Sequence, residues 1–154
     1  MPNLRLVIDT GSLQRSSSGT ISGVVYAQAG ALCFPEKNWN DLIVSVAIEW
    51  LVAASRLALG ASRKERFLFP DGPFAIELSL SKDGIIQALL IERRLAGDVV
   101  AGEFQSDLDA LLSNANSVAD TLLAECDRRG WINPTLEALS AERRQLSRVR
   151  PGPT

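Results

Sequence analysis

The chain has 154 residues, a formal net charge of −2 and no histidine. That length fits one domain with a substantial core, and 46% hydrophobic with 22% charged residues excludes a disordered chain. Because nucleic-acid-binding domains usually carry a basic footprint, the charge predicts no nucleic-acid partner. Two cysteines, Cys33 and Cys126, indicate free thiols in a cytoplasmic protein rather than a disulfide framework.

The first part of the chain predicts β-structure. Residues 4–9 are rich in branched apolar side chains, which is typical of a strand, and the small polar residues 10–12 predict a turn after it. Further strands are predicted at residues 20–27 and 31–34, where Pro35 closes the last one. These segments together favour a small antiparallel meander.

Residues 38–60 predict the central helix. Asn38 is the expected N-cap, with Asp41 three residues later, and Gly60 is the expected left-handed residue at the end. Most of the helix circumference is apolar, so we expect it to be buried by a sheet on one side and by another helix or a second subunit on its flanks. The polar side chains form one narrow stripe: Asp41, Ser45, Glu49 and Arg56.

Residues 42–59 approach the length of a membrane span, but Glu49 and Arg56 lie within them. Each charge would cost a few kcal/mol near the centre of a bilayer. The segment therefore predicts a buried helix and no membrane partner.

The middle of the chain predicts hairpins. Residues 65–69 read as a strand that ends at the turn of residues 70–73, and residues 74–80 alternate apolar and polar side chains. Turn residues then separate the expected strands at 85–93 and 99–104. Strands that follow one another so closely are expected to be antiparallel neighbours.

Two helices are predicted to complete the chain. The first spans residues 106–129, with Ser106 as N-cap, Asp109 in the reciprocal position and Gly130 after its end. A weaker helix begins at residues 133–134 and precedes a frayed tail at 148–154. The expected fold is a single α+β domain over residues 1–147, with an antiparallel sheet of about six or seven strands packed on the long buried helix and two C-terminal helices.

Asp9-Thr10-Gly11 resembles the catalytic loop of aspartic proteases, where two such loops share a proton between carboxylates. One copy would serve only in a homodimer, and the long apolar helix that follows does not fit those largely β enzymes. We interpret the motif as a strand ending in a turn and keep a dimeric retroviral-type aspartic protease using Asp9 as an alternative.

No other catalytic set can be assembled from the sequence. Without histidine the commonest general base and metal ligand is missing, and two distant cysteines make no zinc site. The glycines do not form a phosphate-binding pattern after a strand. We therefore predict no enzyme, no catalytic residue, no metal and no cofactor.

Charge is distributed unevenly along the chain. Residues 95–127 contain no Lys or Arg, whereas the arginines cluster from residue 128 onward. Such polarity would steer a basic protein partner or pair subunits head to tail, although acids at a helix start and bases at its end also explain part of it. The acidic side chains are Asp98, Glu103, Asp107, Asp109, Asp120, Glu125 and Asp127, and the arginines are Arg128, Arg129, Arg143, Arg144, Arg148 and Arg150.

Trp39 stands at the predicted start of the central helix, where it would serve equally as a core residue or as an interface anchor. The candidate partner-binding residues are Trp39, Asp71, Glu103, Asp107, Asp109 and Asp120.

Several short motifs within residues 5–80 carry a family resemblance: Gly11-Ser12, Phe34-Pro35-Glu36, Trp39-Asn40-Asp41, Glu49-Trp50-Leu51 and Phe69-Pro70-Asp71-Gly72-Pro73-Phe74. In these the chain resembles small bacterial immunity-type proteins of polymorphic and contact-dependent-inhibition toxin systems. The resemblance implies a cytoplasmic, non-catalytic protein that binds a toxin domain. If the acidic residues of this chain contact that toxin domain, we expect the toxin domain to be basic. The alternative is a homo-oligomeric structural or adaptor protein, a homodimer whose central helix is covered by its own copy.

Overall fold

A computed structural model describes residues 3–149 as an α+β fold with antiparallel sheets and three helices. The strands form two sheets of four, so the prediction of one sheet with six or seven strands was wrong. The first sheet contains β1 (Arg5–Arg15), β2 (Ile21–Ala29), β3 (Leu32–Phe34) and β4 (Asn40–Asp41). The second contains β5 (Lys64–Phe69), β6 (Phe74–Leu80), β7 (Ile85–Arg94) and β8 (Gly97–Asp107), and the helices are α1 (Ile43–Ala58), α2 (Leu108–Arg128) and α3 (Pro134–Val149).

In the first sheet, β2 pairs with β1 along one side and with the short strands β3 and β4 along the other. The prediction that the first strand stops before a turn at residues 10–12 was wrong, because β1 continues to Arg15 through an irregular register between Asp9 and Gln14. Ser12 holds this bulge in place: its hydroxyl donates to Asp9 O at 2.6 Å and accepts from Val24 N–H at 2.8 Å.

The second sheet is a meander in which β5, β6, β7 and β8 pair in chain order, as the closely spaced strands predicted. Helix side chains bond to one edge strand of each sheet. Leu6 on β1 bonds to Asn114 on α2, and Leu68 N–H on β5 donates to Glu49 on α1. An edge that is bonded to a helix side chain has fewer backbone groups free to join another strand.

Helix α1 begins at Ile43 rather than at Asn38. Asn38 adopts a left-handed φ of 63°, and Asn40 and Asp41 are extended because they pair with β2, so the predicted N-cap was wrong. The predicted end is confirmed. Gly60, with φ 74°, donates to Leu57 O at 3.3 Å, and the following amide donates to Arg56 O at 2.9 Å, which is the Schellman arrangement.

Helix α1 contacts α2, α3, β2 and β5. Nine of its residues are buried within the single chain, and Trp50 packs edge-on against Phe67 of β5 with ring centroids 5.1 Å apart. Both sheets and all three helices contribute buried side chains to one continuous hydrophobic cluster. The apolar circumference of α1 is therefore largely covered without a second subunit.

Helix α2 is capped by Asp107, whose Oδ1 accepts from Asp109 N–H at 2.8 Å, and not by Ser106 as predicted. Ser106 is buried, and its hydroxyl accepts from Leu4 N–H at 3.2 Å instead. Helix α3 includes residues 148 and 149 of the predicted tail, and residues 150–154 lie outside the described residues. Within residues 3–149, no helix combines the length and apolarity that a membrane crossing requires.

Candidate functional site

Three carboxylates lie where β8 passes into α2, and we call Glu103, Asp107 and Asp109 the acidic corner. All three side chains are exposed. Glu103 accepts from Gln87 Nε2 at 2.6 Å, and Asp107 caps α2, so their partners are neutral groups. In the described part of the chain, none of the three forms an ion pair. The corner therefore presents uncompensated negative charge to solvent.

A shallow cavity of about 140 Å³ opens beside the acidic corner. Ile85 contributes an exposed apolar surface to it, with 39% of the residue accessible. The turn that precedes Ile85 adds one cation, Lys82, and one further carboxylate, Asp83. An apolar surface next to carboxylates suits a lysine or arginine side chain, because its aliphatic stem and its charged end then both find a partner. The lining residues are Asn3, Ile85, Gln105, Ser106 and Asp107.

Three other carboxylates of the acidic stretch, Asp98, Asp120 and Glu125, form ion pairs within the chain. Asp98 on β8 pairs with Arg66 of β5 at 3.1 Å. Asp120 on α2 holds Arg143 of α3 through two bonds of 2.8 and 3.1 Å, so this predicted partner-binding residue joins two helices. The uneven charge along the sequence is thus partly cancelled by these ion pairs in the folded chain. The side chains of Arg148 and Arg150 lie outside the described part of the chain.

Glu125 lies in a compact ionic cluster at the end of α2. Arg128 and Arg129 both donate to its carboxylate, Arg129 Nε at 3.0 Å. The hydrogen bonds from Arg128 and then Arg129 lower the pKa of Glu125 from 4.5 to about 2. Arg129 also reaches back to the bulge of β1, where it donates to Leu13 O and Thr10 O at 3.2 and 2.9 Å. The cluster therefore connects α2 to the first sheet.

Glu125→Gln should make stability less dependent on pH in acid. The pKa of Glu125 is lower in the folded chain than in the unfolded chain, so its stabilising contribution is present above pH 4.5 and is lost as the pH falls towards 2. Urea unfolding between these pH values should give a shallower loss of stability for the variant than for the wild type. The matched control is Glu137→Gln, which removes an exposed carboxylate without an ion pair in the described residues. Equal slopes for Glu125→Gln and the wild type would contradict the assignment.

Trp39 and Asp71 meet at Asp41, which the sequence placed on the polar stripe of the central helix. Asp41 is fully buried, and its Oδ2 accepts from Trp39 Nε1 at 2.9 Å and from the backbone N–H of Asp71 at 3.3 Å. Its Oδ1 accepts from Leu42 N–H at 2.7 Å. Trp39 is half-buried and packs edge-on against Phe74 with centroids 5.4 Å apart, while the Asp71 side chain is exposed. The predicted partner-binding residues therefore lie in separate places rather than on one face.

The remaining reactive side chains are positioned as follows. Asp9 is exposed on β1, and its Oδ1 accepts from Gly11 N–H at 2.9 Å. Both cysteines are free; Cys33 is half-buried, and Cys126 is buried, which raises the pKa of its thiol. Within residues 3–149, no group of three or more Cys, Asp or Glu side chains is arranged to hold a metal ion.

Sequence reasoning missed three polar side chains that organise the surroundings of the candidate residues. Asp41 had been placed on the wet stripe of the central helix, Asn114 sits among the apolar residues of α2, and Arg129 looked like a helix-end charge. Only Asp41 carried a usable signal, because an acid directly before a helix often accepts backbone N–H groups.

Comparisons with protein-family models, curated proteins and solved structures find no match to this chain.

Proposed function

We propose that this chain is a non-catalytic, cytoplasmic protein-binding module that neutralises a basic bacterial toxin domain, as immunity proteins do. The observation that carries the proposal is the acidic corner, where three exposed carboxylates form no ion pair in the described residues and one of them, Asp107, lines a cavity together with the exposed Ile85. Charges left unpaired on a surface favour a partner of opposite sign and raise its association rate. The motifs within residues 5–80 support the same role.

The packing of the chain supports a binding surface that is already formed in the free protein. The central helix α1 is buried by other elements of its own chain, and the acidic corner stands on β8 and the first turn of α2. A backbone that is already ordered in the free protein loses little freedom on binding, which favours affinity. The homodimeric adaptor alternative assumed that a second copy covers the apolar faces of α1. We do not propose it, because that helix is covered by other elements of the same chain.

The test is co-production with a basic toxin domain encoded beside this gene. We expect wild-type protein to restore growth and to form a one-to-one complex in size-exclusion chromatography with light scattering. The triple variant Glu103→Gln, Asp107→Asn and Asp109→Asn should lower the association rate constant by about tenfold at low salt, because it removes the charge that attracts the partner. Asn at position 107 keeps a side-chain oxygen for capping α2.

A second triple variant supplies the control. Glu36→Gln, Asp127→Asn and Glu137→Gln change the net charge equally, and these three exposed carboxylates lie outside the acidic corner. We expect the control to change the association rate constant by no more than about twofold. Equal losses for both triples would contradict the assignment of the surface, and failure of the wild type to restore growth would contradict the neutralising function.

A further inference from the structure

The exposed strand edges differ in what occupies them. On β1, α2 takes up the edge: Leu6 N–H donates to Asn114 Oδ1 at 2.8 Å, and Leu6 O accepts from Asn114 Nδ2 at 3.1 Å. Arg129 occupies two further carbonyls of that strand. On β5, which packs on α1, Leu68 N–H donates to Glu49 at 3.3 Å. Helix side chains thus bond to both of these edges.

The edge of β8 is different. This strand of 11 residues lies at the end of the second sheet, and eight of its residues are exposed. Asn3 reaches its last residue, where Asn3 Oδ1 accepts from Asp107 N–H at 2.9 Å. Within the described residues, no hydrogen bond from outside the sheet reaches the backbone of residues 98–105. A long edge with free backbone groups can template another strand.

The direction of each free amide follows from two bonds at the end of the strand. Asp107 N–H points away from β7 to Asn3, whereas Leu108 N–H points to Gly84 O. Because backbone groups alternate sides along an antiparallel strand, the amides of Glu103 and Gln105 also point outward. The register shift between Leu90 and Ile91 changes which residues alternate, so beyond it the amides that point outward are those of Val100 and Asp98.

We propose that β8 is a docking strand that accepts a basic, extended segment of a partner protein as an additional strand. Every charged residue on β8 is acidic, and the segment from 95 to 127 contains no Lys or Arg. The side chains of Glu103 and Asp107 lie on the same face of the strand, so an incoming strand would place the basic residues of one of its faces opposite these acids. The inference rests on the proposed function for its basic partner and adds the mode of binding.

A second copy of this chain is the less favourable occupant. Pairing β8 with its own copy would bring Glu103 and Asp107, which form no ion pair in the described residues, against the same two carboxylates of the other strand. No residue of the strand is a cation. Like charges directly opposite across a strand pair are destabilising. Pairing with β5 of another copy is hindered by the bond from Glu49.

The experiment uses synthetic peptides, so it does not depend on a toxin. The probes are a capped peptide of alternating lysine and valine about nine residues long, the same peptide N-methylated at alternate amides, and its glutamate counterpart. NMR titration and amide hydrogen exchange of the full chain should show protection of Val100, Glu103 and Gln105 by the unmodified basic peptide. Both modified peptides should bind at least about tenfold more weakly.

Two variants separate backbone pairing from side-chain effects. Gln105→Pro removes an outward N–H and keeps the bonds to β7, so it should weaken peptide binding about tenfold, whereas Gln105→Ala should change it by less than about twofold. If Gln105→Pro does not fold, the N-methylated peptide still decides the question. Any of four results would overturn the proposal. The N-methylated and unmodified peptides bind equally, neither peptide binds, the protected amides lie away from β8, or the free chain forms a dimer that protects the same amides. Peptide binding without toxin neutralisation would leave β8 docking supported and overturn the neutralising function alone.

Discussion

Asp41→Ala should lower the free energy of unfolding by about 3 kcal/mol or more, because a charge-assisted hydrogen bond contributes roughly 1.5–3 kcal/mol and an abandoned buried donor adds a penalty. The carboxylate is fully buried and accepts from Trp39 Nε1, Leu42 N–H and Asp71 N–H. These donors belong to the loop before α1, the start of that helix and the turn between β5 and β6. The variant should therefore loosen three segments together, with a melting temperature lower by about 6–12 °C.

Asp71→Ala is the matched control for Asp41→Ala. Asp71 contributes only its backbone N–H to the buried carboxylate, and its own side chain is exposed, so this variant should change stability by no more than about 0.5 kcal/mol. Asp41→Asn should fall between the two, since it keeps one acceptor but places an amide N–H₂ against a donor. Urea unfolding followed by tryptophan fluorescence measures all three. A loss below about 1 kcal/mol for Asp41→Ala would contradict the role of this carboxylate.

Much of the secondary structure could be predicted because its signals are local. Alternating side chains gave the hairpins of the second sheet, and Gly60 and Gly130 adopt the left-handed conformation at the helix ends. Such features depend on side-chain period and on backbone geometry within a few residues. The helix starts were predicted less well. Pairing with β2 holds residues 40–41 extended, and the predicted cap Ser106 instead bonds to the backbone of Leu4. Both contacts join residues that are distant in the sequence, so the local pattern does not predict them.

The division into two sheets and the form of the candidate site depend on contacts between distant residues. Asn114 bonds to Leu6, and Arg129 bonds to Thr10 and Leu13, so α2 occupies the edge of β1. Periodicity identifies an amphipathic helix but does not say that one of its polar residues will bond to a strand edge. For the same reason the sequence grouped acids that the fold separates: Asp120 is neutralised by Arg143, whereas the three carboxylates of the acidic corner form no ion pair in the described residues.

Asn114→Ala should lower the free energy of unfolding by about 2–4 kcal/mol, because it removes three hydrogen bonds and leaves an indole donor unpaired. Its Oδ1 accepts from Leu6 N–H at 2.8 Å and from Trp50 Nε1 at 3.1 Å, and its Nδ2 donates to Leu6 O at 3.1 Å. Trp50 is 1% exposed, so water cannot easily replace the lost acceptor. One amide therefore joins α2, α1 and β1.

Asn116→Ala offers a control of the same residue type on the same helix. Its Oδ1 is buried without a hydrogen-bond partner in the described residues, so truncation should be neutral or stabilising by about 0.5 kcal/mol, with alanine also the better helix former. A double-mutant cycle of Asn114→Ala with Trp50→Phe should give a coupling of about 1 kcal/mol, since either change alone breaks the indole bond. Additive effects, or equal losses at positions 114 and 116, would show that the Asn114 amide does not join the three elements as described.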